Sequence, residues 1–183
     1  MSLTRTSGWK ISGEDLMSKA ALKFGVLCDT GFLIRLNQPQ DELHANARGY
    51  LKNLLANGHV LYVSTIALAE YAVRDKIENL PMRYFRVLPF NIDHAQKAGE
   101  FAGIVFSQRD QIPAEITQRV IIPNDTKMFA QADVTTAITH YLTADKKCEV
   151  VYRLVQASTA MRFQILSLHT PYHDAFGELN LDD

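Results

Sequence analysis

From Phe24 onward, short apolar runs alternate with amphipathic stretches. FGVLCD (24–29) is a continuous apolar run, as expected of a strand buried on both faces. Residues 42–56 carry Leu43, Ala47, Tyr50, Leu51, Leu54 and Leu55 at helical spacing, and Asn57-Gly58 ends that helix. HVLYVS (59–64) predicts a second strand, and IALAEYAVRDKIENL (66–80) a helix that stops at Pro81. YFRVLPF (84–90) is a third strand-like run, cut short by Pro89. Residues 93–108 predict a helix with Asp93 in its first turn. Pro113 and Pro123 then bracket a short helix or loop. Asn124 reads as an N-cap for a helix over 125–137, with Asp125 in its first turn. THYLTA (139–144) is a fourth strand, 146–158 a helix and FQILSL (163–168) a fifth strand; the tail after Pro171 reads as surface.

Strands alternating with helices predict an α/β domain: three layers, α/β/α, around a mainly parallel five-stranded sheet. Residues 24–183 form this one domain, and residues 1–23 form an N-terminal extension, where Ser12 and Asp15 can cap a short helix over 13–23. In open parallel sheets, ligands gather beyond the carboxyl ends of the strands. That rule gives weight to four acids at the ends of core elements: Asp29, Glu70, Asp125 and Asp145. Asp29 ends the first strand and Asp145 follows the fourth. Glu70 lies in the first turns of the helix after the second strand, and Asp125 opens a helix of its own. Four carboxylates meeting in one cleft repel one another unless a cation lies among them. Hard oxygen donors suit Mg²⁺ or Mn²⁺. Such ions hold a phosphodiester, generate hydroxide and stabilise a leaving oxygen.

Composition narrows the setting. The chain has 183 residues, 47% apolar and 21% charged, enough for one sizeable core. No run approaches a membrane-spanning length, and MSLTRTSGWKISGEDL lacks the apolar core of a secretory signal. Two cysteines and no disulfide framework fit a reducing cytoplasm. The formal net charge is -1, so any nucleic acid must be held by a local patch, by metal ions or by a partner.

Each acid also has an ordinary explanation. Asp29 can start a turn, Asp125 suits a helix start, Glu70 can pair with Arg74, and Asp145 can balance Lys146 or Lys147. Asp133, two turns beyond Asp125, competes as a ligand; its alternative place is the solvent edge. His169 and His173 are four apart, but Pro171 between them forbids a regular helical pair. His44, His59, His94 and His140 read as surface residues. Cys28 reads as a small buried apolar residue rather than a nucleophile. Lys146, Lys147, Arg83 and Arg86 are phosphate contacts or plain surface charges.

In order and context, VLCDTGFLIRL (26–36), STIALAEYA (64–72), NDTKMFAQA (124–132) and YLTADKK (141–147) resemble the four acidic motifs of PIN-domain ribonucleases, VapC-like or stand-alone. The resemblance spans roughly residues 24–170. It implies a Mg- or Mn-dependent endoribonuclease that cuts single-stranded RNA and leaves a 5′-phosphate and a 3′-hydroxyl. On it, Asp29 is the central ligand, Asp125 and Asp145 coordinate directly or through water, and Glu70 completes the site. Thr30 and Thr143 match the hydroxyls that support the first and last acids. The resemblance also implies a toxin role with an antitoxin partner, and a homodimer. Lys127 departs from the pattern, which has an apolar residue there; it neutralises the cluster, touches a phosphate or sits at the surface. The extension over 1–23 is longer than in compact toxin members.

Two other classes stand beside the nuclease. A catalytically silent PIN-like module would bind RNA or protein with the same acids. A haloacid-dehalogenase-type phosphatase needs an aspartate two residues after its nucleophile, where this chain has Gly31, and no GxxxxGK[ST] loop is present.

Overall fold

A computed structural model describes residues 23–108 and 124–177. The extension helix over 13–23, the segment between Pro113 and Pro123, and the last six residues lie outside the described residues, apart from Lys23.

The elements follow in the order β1 (Gly25–Cys28), α1 (Thr30–Leu36), α2 (His44–Ala56), β2 (Val60–Ser64), α3 (Thr65–Ala72), β3 (Phe85–Leu88), α4 (Ile92–Ser107), α5 (Asn124–Val134), β4 (Ile138–Thr143), α6 (Lys146–Ser158), β5 (Gln164–Ser167) and α7 (Tyr172–Phe176). The five strands form one sheet, wholly parallel, in the order β3-β2-β1-β4-β5. All four residues of β1 are buried, as a strand covered on both faces requires. Helices α1, α2 and α3 pack together as one group, and α4, α5 and α6 as another. The expected three-layer α/β fold is present.

Register sets the edge that matters. Cys28 pairs with Val63 of β2 and Leu142 of β4, so three strands finish side by side. The Asp29 N–H then bonds the Leu142 carbonyl at 2.9 Å. At the other end of β1, a Cβ on Gly25 would stand 2.4 Å from the Ala137 carbonyl oxygen, so only glycine fits this backbone approach.

One element went unread in the sequence, and three expectations need correction. TGFLIRL, whose apolar run hides its period, is the helix α1, capped by Asp29. The helix expected over 66–80 stops at Ala72. Its continuation is drawn into a turn around Asp75, whose carboxylate accepts from Lys76 N–H, Tyr71 Oη, Asn79 Nδ2 and Asn37 Nδ2. These bonds compete with the helix ladder. The tail is not simply surface: Tyr172 is buried against Tyr50, and Phe176 stacks on Phe24 at 5.8 Å between centroids. His59 and His94 are buried as well. His59 stacks on Phe24, and His94 closes the capping box of α4 with Asn91.

Candidate active site

The cleft at the carboxyl edge of the sheet has a volume of about 850 Å³ and is lined by Asp29, Glu70, Asp125 and Asp145 together with Thr30, Gly31, Ile34, Arg35, Val73, Arg74, Asn124, Lys127 and Ala144. All four acids expected at the site reach it, from four separate segments.

Asp29 leaves β1 in an extended conformation and caps α1, accepting from the Thr30 N–H at 2.7 Å. Its other oxygen accepts from the Thr143 hydroxyl at 2.8 Å. Thr143, fully buried at the end of β4, also accepts the Asp145 N–H at 3.0 Å. One hydroxyl therefore ties the first acid to the last. Asp145 caps α6 through the Lys147 N–H at 2.8 Å. Both aspartates thus cap a helix and line the cleft: a capping carboxylate at a strand end has one side on the helix and the other on the cleft.

Glu70, on α3, accepts from the Thr30 hydroxyl through one oxygen and from the Asn124 amide through the other. Asn124 in turn accepts from Lys127 Nζ at 3.2 Å. This gives Lys127 a place that the motif resemblance did not: it fixes which way the Asn124 amide faces, and hence which atom it offers Glu70. Asp125, half-buried in the first turn of α5, completes the lining.

Electrostatics record the convergence. Burial raises the Asp29 carboxyl above its ordinary pKa; the bonds from Thr143 and Thr30 oppose that rise, and the nearby Glu70 adds to it. Burial pushes the Cys148 thiol well up, and the charges of Asp125, Asp29 and Asp145 push it further. Three of the four acids therefore act on one buried atom. Cys28 is raised by burial and then by Asp29, which keeps it a neutral, unreactive thiol. Burial, followed by the charge of Asp29, raises the Tyr141 hydroxyl well above its ordinary pKa and holds it neutral.

The donor set fits a hard divalent cation in its chemistry. Its four acids offer only oxygen, with the Thr30 hydroxyl beside them in the lining. It is not a ready-made cage, because no three Asp, Glu, His or Cys side chains among the described residues stand close enough to share one ion. The carboxylates are spread along the cleft wall on hydrogen bonds of their own.

Asp133 is not part of this site. It is buried, accepting the Arg162 N–H at 2.8 Å and lying 3.8 Å from Lys97 Nζ, so it is neither a ligand nor a solvent-edge residue. Lys146, Lys147, Arg83 and Arg86 are exposed and do not line the cleft. Two cationic lining residues escaped the sequence reading. Arg35 bonds the Gly31 carbonyl at 3.1 Å and faces Asp41 at 3.7 Å. Arg74 lies four residues after Glu70, just past the end of α3, and stands in the cleft wall. For Arg74 a signal was available: a cation four residues after Glu70, already placed at the cleft.

No family model matches this chain, and no curated protein matches it in sequence. Solved structures do. VapBC2 from Rickettsia felis, solved bound to a DNA fragment from their promoter, aligns with a TM-score of 0.54 and 16% identity over 78% of this chain and 98% of that one. FitAcB from Neisseria gonorrhoeae aligns with a TM-score of 0.54 and 16% identity over 79% and 98%. At this identity the likeness is one of fold: the chain has the PIN-like α/β fold that the motif resemblance implied. No helix among the described residues is long and apolar enough to cross a membrane.

Proposed function

We propose that this chain, on its VapC-type fold, is a metal-dependent endoribonuclease that hydrolyses phosphodiester bonds of single-stranded RNA. The observation that carries the proposal is the gathering of Asp29, Glu70, Asp125 and Asp145, from four segments, in one cleft at the carboxyl edge of the sheet.

In this reading Mg²⁺ or Mn²⁺, when bound, supplies a water acidic enough to attack at neutral pH and neutralises charge on the phosphate. Asp29, Asp125, Asp145 and Glu70 are the residues that would hold it. Thr143 aims Asp29 and braces Asp145. Thr30 and Asn124 aim Glu70, with Lys127 setting the Asn124 amide. Arg35, Arg74 and Lys127 line the same wall and offer charge to a phosphate.

A toxin role with a small antitoxin partner is part of the same proposal. It rests on the motif resemblance and on the fold shared with VapBC2, which was solved on promoter DNA. A homodimer and a cytoplasmic site of action are proposed with it. The test is Mn²⁺-dependent cleavage of single-stranded RNA by the parent and by Asp29→Asn. Cleavage by the parent and none by the variant supports the proposal. Equal cleavage by both, or none by the parent across metals and substrates, would favour the silent RNA- or protein-binding module.

A further inference from the structure

A second groove, of about 700 Å³, lies next to the acid cleft, between the end of α1, the outer face of α2 and the turn at Asn79–Tyr84. The two share a wall. The Arg35 side chain lines the acid cleft, while its carbonyl oxygen is held at 2.8 Å by His44 Nδ1, and His44 lines the groove. A carbonyl only accepts, so this ring nitrogen carries the proton. The next residues, Leu36 and Asn37, already belong to the groove.

Its chemistry differs from that of the cleft. Arg48, Lys52 and His44 stand along it, and none of its described lining residues is acidic. This is the local basic patch that a chain of net charge -1 needs if it is to hold a polyanion. At its far end Tyr84 is 36% exposed, with the Arg83 guanidinium over its ring at 4.6 Å and bonded to its hydroxyl at 2.9 Å. A cation-backed aromatic beside basic side chains is a stacking platform for an unpaired base.

We infer that this groove is a second subsite for single-stranded RNA, holding nucleotides that run from the acid cleft over the end of α1. Arg48 and Lys52 contact phosphates and Tyr84 stacks on a base. The inference rests on the nuclease reading and adds a substrate path to it. Short strands occupy the cleft alone; longer ones gain the groove.

The test uses the full chain carrying Asp29→Asn for binding, and the otherwise unaltered chain for cleavage. Labelled single-stranded RNAs of four and twelve nucleotides are titrated by fluorescence anisotropy at several salt concentrations. With Arg48→Glu plus Lys52→Glu, the twelve-nucleotide strand should bind at least about tenfold more weakly. The salt dependence of log K should become shallower by roughly 1.4, about 0.7 for each lost phosphate contact. Tyr84→Ala should weaken the same strand by roughly five- to a hundredfold. The four-nucleotide strand and its cleavage rate should not change. All three side chains are exposed, so the melting temperature serves as a control for folding.

Unchanged binding of the longer strand, or equal loss for both lengths, overturns the inference. So does a change of oligomeric state in the variants without loss of RNA affinity, which would make the groove a protein-docking surface. The two proposals fail separately: a parent that cuts no RNA sinks the nuclease reading, whereas a parent that cuts RNA with the groove variants at full affinity sinks only the subsite.

Discussion

Replacing Thr143 with valine removes one oxygen and keeps the shape of the side chain. The hydroxyl is fully buried, donates to Asp29 at 2.8 Å and accepts the Asp145 N–H at 3.0 Å. A hydrogen bond to a charged group contributes about 1.5–3 kcal/mol, and a neutral one about 1 kcal/mol. Asp29 is partly exposed, so the lower end of the first range applies. The added methyl returns about 0.8 kcal/mol. The net loss is roughly 2 kcal/mol, read as a shift in urea midpoint at unchanged slope, or a fall in melting temperature of about 4–8 °C. The pH dependence has a definite sign. The Thr143 bond lowers the Asp29 pKa, so its loss raises that pKa further. The stability difference between parent and variant is therefore present above the Asp29 pKa and shrinks as pH falls through it. If Asp29 acts as a carboxylate, the acid limb of kcat/KM moves to higher pH in Thr143→Val. Thr143→Ser restores the oxygen and should restore the limb. A stability change under about 0.5 kcal/mol together with an unmoved limb would refute the reasoning.

Three further outcomes are expected. Asp29→Asn keeps the cap and the shape but removes a carboxylate whose pKa burial has raised. The metal-free variant should be more stable than the parent at pH 8 in urea melts, and the gap should close as pH falls through the raised Asp29 pKa and the parent carboxyl regains its proton. Asp133→Ala should cost about 1–3 kcal/mol by stranding the Arg162 N–H and taking from Lys97 one of its two carboxylate neighbours, and leave RNA cleavage unchanged. Loss of cleavage without loss of stability would put Asp133 back in the site. Gly25→Ala should destabilise the fold by about 3 kcal/mol or more, because the contact at 2.4 Å is with backbone that cannot swing aside. A fully folded variant with the parent's melting temperature would mean the β1–β4 junction is looser than described.

The strand ends and the four acids were legible because they depend on local pattern: apolar runs bounded by polar residues, with a carboxylate at each boundary. The parallel order followed from alternation of strand and helix. What stayed hidden depends on neighbours distant in sequence. α1 was obscured because TGFLIRL buries Thr30, Phe32 and Leu33 and half-buries Ile34, so it shows no clean polar face. The end of α3 is set by Asn37, from another helix, reaching Asp75. Asn124 looked like a cap, yet its amide is committed to Glu70, 54 positions earlier. Asp133 resembled a ligand by helical spacing, but a helix face is shared by whatever packs on it, and here that is the Arg162 backbone. Tyr172 and Phe176 read as tail because their partners, Tyr50 and Phe24, lie more than a hundred residues upstream.

The strand order has a consequence for synthesis. β1 is the central strand, but one of its two neighbours, β4, begins only at Ile138. A growing chain can assemble β1, β2 and β3 and must then wait while about fifty residues between Leu88 and Ile138 emerge, roughly 2.5 to 10 s at ~5–20 residues per second. Throughout that wait β1 has an open edge of unpaired backbone N–H and C=O groups, and Asp29 lacks both the Thr143 hydroxyl and the Leu142 carbonyl that seat it. Asp125 emerges only late in that wait, and Asp145 has not yet been made. The nascent half is therefore sticky but chemically harmless, and the protein gains its proposed cutting power in one late step, when β4 slots in beside β1.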